Sequence, residues 1–228
     1  VSTRGLFVTG TDTGVGKTVI ACALVRSLAA RGERVGVMKP IASGAVRTRE
    51  GLRNEDALAL MEAAHTALPY ARVNPYCFEP PISPHIAAKE AMIDIDLGTI
   101  CAEYAAIQAV SDRVIVEGAG GWFAPIGERD SMADLARALE APALLVVGLR
   151  LGCLNHAELT YRAIGSSGVA FAGWIANALG DPLEREAENL ATLERRLGSP
   201  PLAVVRHAPA LARTLRLDAA AARLAARP

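Results

Sequence analysis

Between the apolar triplet Leu6-Phe7-Val8 and an amphipathic run opening at Gly16 lies the nonapeptide Gly10-Thr11-Asp12-Thr13-Gly14-Val15-Gly16-Lys17-Thr18. A chain that passes from a strand through such a loop straight into a helix has few ways to fold. Its glycines let consecutive backbone N–H groups wrap an anion. The helix N-terminus beyond adds partial positive charge. Lys17 is spaced to reach the β- and γ-phosphates of a nucleoside triphosphate, and the Thr18 hydroxyl to ligate Mg²⁺. The usual spacing would put the first glycine at position 11, where Thr11 stands, so the loop is one residue longer.

The remaining chain repeats the strand-then-helix pattern. Short apolar runs at 35–38, 114–116, 144–147, 171–176 and 202–205 read as buried strands. Helical spacing covers 16–30, 53–65, 96–110, 131–139, 156–164, 183–197 and 211–226, with Ile20, Leu24 and Leu28 on one face of the first and Leu58 and Met61 inward on the second. Residues 69–85 hold Pro69, Pro75, Pro80, Pro81 and Pro84 and are expected to be a long loop without helix. Only 4% of residues are aromatic against 51% hydrophobic, so the core is aliphatic, as suits a parallel sheet under Ala-rich helices. The expectation is one doubly wound, mostly parallel α/β domain over residues 1–228, with helices on both faces and functional groups at the carboxyl ends of the strands.

Several polar residues fall at those strand ends. Lys39 follows the run 35–38, and Glu117 closes Val114-Ile115-Val116 before Gly118-Ala119-Gly120-Gly121. The chain carries 21 arginines but only three lysines, Lys17, Lys39 and Lys89, so two of three stand where a compact point charge suits phosphate. Asp56 and Glu117 are candidate Mg²⁺ carboxylates beside Thr18, although Asp56 also suits the first turn of a helix. Asn177 ends another strand, where asparagine is also a common turn residue.

Composition narrows the partners. Twenty-four Lys and Arg balance 24 Asp and Glu, leaving no global field for nucleic acid or an anionic membrane. Cys22, Cys77, Cys101 and Cys153 form no C-x-x-C pair, so neither a zinc site nor a redox motif is expected. With no leader pattern and no long apolar span, a cytoplasmic setting is expected.

The phosphate loop, Lys39-Pro40-Ile41-Ala42-Ser43-Gly44, Gly51-Leu52-Arg53-Asn54-Glu55-Asp56-Ala57, Val73-Asn74-Pro75-Tyr76, Ser83-Pro84-His85, Val116-Glu117-Gly118-Ala119-Gly120-Gly121-Trp122, Leu151-Gly152-Cys153-Leu154-Asn155-His156 and Gly173-Trp174-Ile175-Ala176-Asn177 occur in that order. Together they resemble the dethiobiotin synthetase family of phosphate-loop enzymes. The resemblance spans roughly residues 6–180 and fades after Asn177.

It implies a carbon–nitrogen ligase that carboxylates 7,8-diaminopelargonic acid with CO₂, phosphorylates the carbamate with ATP and closes a cyclic urea. It implies that Lys39, with Lys17 and Thr13, is catalytic, and that Thr18, Asp56 and Glu117 hold Mg²⁺. The implied nucleotide site is Gly14, Val15, Gly16, Lys17, Thr18, Val19, Asp56, Glu117, Gly118, Ala119, Gly120, Asn177 and Ala178. Thr13 and Ser43 would contact diamine or carbamate. Gly152, Cys153, Leu154 and Asn155 would open a helix that receives the substrate carboxylate from a partner subunit, making the protein a homodimer. Arg150 stands where the family pattern leads one to expect lysine, and the family's peptide near His207-Ala208-Pro209 is not kept.

Two other readings share the phosphate loop. A nucleotide-switch ATPase of the partitioning or septum-positioning type would carry a second lysine five residues before Lys17, where Asp12 stands, and often a membrane-binding tail; here Arg213, Arg216, Arg223 and Arg227 lie among diffuse Leu and Ala. An amide-forming synthetase of corrinoid metabolism would add a glutamine-hydrolysing domain.

Overall fold

The computed structural model describes residues 5–180, 183–208, 210 and 212–226. Among them, β1 (Gly5–Gly10), β2 (Val35–Met38), β7 (Arg113–Glu117), β8 (Ala143–Leu149), β9 (Phe171–Ala178) and β10 (Val204–Val205) form one sheet in the order β10-β9-β8-β1-β7-β2. Every pairing in it is parallel. Parallel strands are buried on both faces and need crossover connections. The continuous apolar runs met that need: β1, β2 and β8 have no residue outside the buried class.

The pleat divides the side chains between two cores. Leu6, Val8, Val37, Ile115, Val146 and Ile175 face α1 (Lys17–Ala29), α2 (Glu55–Ala64) and α9 (Asp218–Ala225). Phe7, Val116, Leu145 and Trp174 face α5 (Leu97–Gln108), α6 (Met132–Ala138), α7 (Cys153–Ser166) and α8 (Glu186–Leu197). Ile20 and Leu24 of α1 are wholly buried and Leu28 is 1% exposed, each contributing roughly 1.5–3 kcal/mol. Strand order reverses around β1, since β7 lies on one side and β8 on the other. Its carboxyl end therefore opens into a switch-point crevice, where ligands of such sheets bind.

The expected elements are present, with three corrections. The proline-rich stretch is not helix-free: α3 (Tyr70–Val73) and α4 (Pro84–Glu90) lie within or overlap it, joined by β6 (Tyr76–Cys77). Pro69 precedes α3 and Pro84 occupies its first helical position in α4, where the missing N–H costs nothing. Next, Leu58 is 44% exposed; Ala57, Leu60 and Ala63 form the buried face of α2 instead. Finally, the last helix is confined to Asp218–Ala225; Leu211, Pro209 and Arg227 lie outside the described residues.

Between β2 and α2 the chain makes β3 (Ile41–Ala42), which pairs with β6, and a hairpin of β4 (Val46–Thr48) and β5 (Gly51–Arg53). Of these small additions, β3 reaches the crevice through Ala42.

Candidate functional site

The phosphate loop begins as an extension of β1, with the Thr11 N–H donating to the Val146 carbonyl at 3.0 Å. Thr13 N–H donates to Asp12 Oδ1 at 2.7 Å. The loop then turns into α1 through Gly16 at φ +87°, a left-handed conformation that costs glycine little. A Cβ at Gly16 would also lie 2.2 Å from Asn177 Nδ2. Asn177 uses that same amide to donate to the Val15 carbonyl at 2.9 Å, pinning the loop from β9. Asn177 itself does not line the crevice.

Lys17 Nζ donates to the carbonyl of Asp12 at 2.9 Å, folding over the turn. Burial, together with repulsion from Lys39, lowers its pKa to about 8. Thr18, one residue on, shares its one hydroxyl proton between Asp56 Oδ1 at 2.8 Å and Glu117 Oε1 at 2.9 Å.

Those two carboxylates converge from opposite directions. Glu117 ends β7 and is 1% exposed; Asp56 lies in the first turn of α2. Lys39, at the end of β2 and 4% exposed, joins them: its Nζ donates to Glu117 Oε1 at 2.6 Å and to Asp56 Oδ2 at 2.9 Å. Burial opposes the Lys39 charge, but Glu117 and Asp56 outweigh it and hold the ammonium above the usual lysine range. Burial likewise opposes the Asp56 charge, which Lys39 holds below the usual carboxylate range. Burial pushes Glu117 up, offset only in part by Lys39.

Glu117 Oε2 is buried with no hydrogen-bond partner. An orphaned carboxylate oxygen of this kind is costly unless something else claims it. Two carboxylates and one hydroxyl, all hard oxygen donors, suit a Mg²⁺ that keeps several waters. No group of three or more His, Cys, Asp or Glu gathers anywhere among the described residues, so the Thr18 hydroxyl completes the donor set here. Thr18, Asp56 and Glu117 therefore fit such an ion.

One crevice of about 810 Å³ contains Thr13, Gly14, Gly16, Lys17, Thr18, Val19, Lys39, Ser43, Asp56, Glu117, Ala119 and Gly120. The sequence-derived residues of the phosphate and acid sites are thus brought together. The Ser43 hydroxyl is buried there without a partner. Gly118 offers its carbonyl 3.5 Å from Lys39 Nζ. Val15 is wholly buried behind the loop, and Ala178, half-buried at the end of β9, does not line the crevice.

The block Gly152–Asn155 does not line it either. Gly152 caps α7 at φ +94°, Cys153 is buried, Leu154 is half-buried and Asn155 is exposed, while the preceding Leu151 is 95% exposed. Burial raises the Cys153 thiol, which suits packing rather than nucleophilic chemistry. Arg150 forms an ion pair with Asp12, joining the end of β8 to the phosphate loop.

Sequence reasoning assigned no site role to Asn54 or to the wall formed by Pro81, Ile82, Ser83 and Pro84. Asn54 caps α2, its Oδ1 accepting from Asp56 N–H at 3.1 Å and Ala57 N–H at 3.3 Å. An asparagine before Glu-Asp and an apolar run was the available signal. The wall depends on how β3 and β6 pair, and no local pattern announces that.

Comparison with known proteins adds independent support. The family profile described as an AAA domain matches residues 4–214. The ATP-dependent dethiobiotin synthetase BioD of Xanthomonas oryzae pv. oryzae (strain PXO99A) is 47% identical over 194 residues, covering 85% of this chain and 87% of that protein. The protein of that name from Pseudescherichia vulneris is 48% identical over 198 residues, covering 87% of this chain and 82% of the relative. Among solved structures, the MinC:MinD cell division protein complex of Aquifex aeolicus aligns at TM-score 0.64 and 15% identity, over 99% of this chain and 97% of that one. The cell division ATPase MinD of Pyrococcus furiosus aligns at 0.59 and 18% identity, over 98% and 97%. At such identity the structural likeness is one of fold alone.

Proposed function

Because the chain belongs to the ATP-dependent dethiobiotin synthetase family, we propose that this crevice closes the cyclic urea of dethiobiotin on 7,8-diaminopelargonic acid, using CO₂ and ATP. One observation carries the mechanism: the Lys39 ammonium lies buried between Glu117 and Asp56, beside the phosphate loop. A cation held there by fixed partners is preorganised for charge that develops during reaction.

One amine of the diamine attacks CO₂ and loses a proton, giving a carbamate. A carbamate oxygen then attacks the γ-phosphorus and ADP leaves. The second amine attacks the carbamoyl carbon, expels phosphate and loses its proton. Lys17 and the loop N–H groups hold the β- and γ-phosphates. Lys39 spans carbamate and γ-phosphate, two anions that otherwise repel. Thr13 and Ser43 orient the diamine, and the unpartnered Ser43 hydroxyl is free to do so. Thr18, Asp56 and Glu117 would hold Mg²⁺, which would supply neutralising charge to the transferring phosphoryl group. The purine meets Asn177 and Ala178 behind the loop.

The chain works as one phosphate-loop domain in a homodimer. Gly152, Cys153, Leu154 and Asn155, at the start of α7 and away from their own crevice, receive the carboxylate tail of a substrate bound in the partner subunit. N–H groups at a helix start suit an anion. No described helix is long and apolar enough to cross a membrane, and net charge is zero. As a small-molecule ligase, the enzyme is placed in the cytoplasm, without nucleic-acid or membrane partners.

The decisive experiment follows phosphate release from Mg²⁺-ATP and bicarbonate with and without 7,8-diaminopelargonic acid. Diamine-dependent release with dethiobiotin among the products is expected. Release indifferent to the diamine would leave the nucleotide site standing and favour a switch ATPase.

A further inference from the structure

Lys39 and Asp56 meet through their side chains, and a second, hidden connection joins their backbones. Lys39 N–H donates to the Val73 carbonyl at 2.8 Å, and Asn74 Nδ2 donates to the Lys39 carbonyl at 2.6 Å. Asn74 Oδ1 accepts the Tyr70 hydroxyl at 2.9 Å. The same hydroxyl accepts the Asn54 N–H at 2.7 Å. Asn54 in turn caps the helix turn that carries Asp56, and its Nδ2 reaches the Ser43 carbonyl at 3.3 Å. The path runs Lys39, Asn74, Tyr70, Asn54, Asp56, and closes on itself at the Lys39–Asp56 ion pair.

We propose that Tyr70 is a positioning residue for the synthetase reaction: its hydroxyl sets the distance between the lysine on β2 and the metal-binding acid on α2. The proposal rests on the assignment of Lys39 and Asp56 given above. Three features make the hydroxyl suited to the task. Asn54 and Asn74 are 7% and 2% exposed, so their polar groups have little water to turn to. A phenol has one proton to donate and lone pairs to accept with, so it can serve both asparagines at once. Burial pushes the phenol well above its ordinary pKa, so it keeps that proton. The ring itself is fixed independently, by the Arg53 guanidinium 4.3 Å above its centroid.

Tyr70→Phe keeps the ring and its cation contact and deletes only the hydroxyl. Two measurements test it. The first is Mn²⁺ affinity in the presence of a non-hydrolysable ATP analogue, read by electron paramagnetic resonance. The second is steady-state dethiobiotin formation. Tyr70→Phe should weaken Mn²⁺ binding about fivefold or more and lower kcat about tenfold or more, while KM for ATP stays within about twofold, because the phosphate loop lies outside the path. Asn74→Ala removes the Tyr70 contact from the other side and should lower kcat similarly. A merely structural tyrosine would lower the melting temperature yet leave kcat per folded site and Mn²⁺ affinity within twofold, and that result overturns the proposal. Should the wild-type protein form no dethiobiotin, the synthetase reading fails, while the Mn²⁺ comparison still decides whether Tyr70 positions Asp56.

Discussion

The two halves of the crevice are built in opposite ways. The phosphate half is nine consecutive residues whose backbone makes the site, with Gly16 held at φ +87° because the turn into α1 requires it. The acid–lysine half is three side chains from β2, α2 and β7, separated by up to 78 residues and converging to 2.6–2.9 Å. A backbone cradle tolerates side-chain changes and depends on conformation. A convergent cluster of charges depends on every partner, since removing one strands the others in a buried site. Binding a triphosphate should therefore survive damage to the cluster, and chemistry should not.

The sharpest way to break that division is Lys39→Ala. Loss of one preorganised cation should cost roughly 10²–10³ in kcat, while ATP affinity measured by calorimetry changes by less than about threefold, a margin under ~1 kcal/mol. A variant that loses ATP binding along with turnover would make the two halves one unit. Glu117→Gln should next raise the Mg²⁺ concentration needed for half-maximal turnover roughly tenfold or more. An unchanged Mg²⁺ titration would take Glu117 out of the metal site.

The loop half has its own lever in pH. Lys17 carries its charge in the free protein only below a pKa of about 8. Above that pH, binding ATP must also take up a proton, so affinity should fall by up to about tenfold per pH unit. Calorimetry in buffers of different ionisation enthalpy between pH 7 and 9.5 would register the uptake; a flat affinity would mean the loop amides suffice. The folded-state pKa lies below the ordinary value of 10.5. Lys17 therefore opposes folding fully below pH 8, and that cost is relieved as pH rises toward 10.5. The smallest effect belongs to Arg150→Ala. Both partners of its ion pair with Asp12 are about half exposed, so the pair is worth under about 1 kcal/mol. KM for ATP should rise no more than about fivefold, and a larger rise would show that the loop leans on the end of β8.

Much of this was legible beforehand, and for identifiable reasons. Lys17 and Thr18 sit at fixed offsets from glycines in a strand–loop–helix context, so spacing alone placed them. Lys39 and Glu117 could be named because each closes a buried apolar strand, and a parallel sheet gathers such ends at one edge. The proline-rich stretch departs from its expected loop because proline, a breaker inside a helix, suits a first helical position, which Pro84 takes. Leu58 was misplaced because two or three apolar residues around one turn leave the inward face of a short helix undecided.

What the sequence determined by itself, then, was the phosphate loop, the alternation of strands and helices, and the residue types at the strand ends, since each is encoded within a few neighbouring positions. Tertiary structure alone decided the rest: that Asp56 reaches Thr18 and Lys39, that Glu117 keeps one oxygen unpaired, and that Tyr70 ties Asn54 to Asn74. Those relations depend on strand order around β1 and on the pairing of β3 with β6. Contacts across such separations are set by how whole layers pack, and no local pattern carries that information.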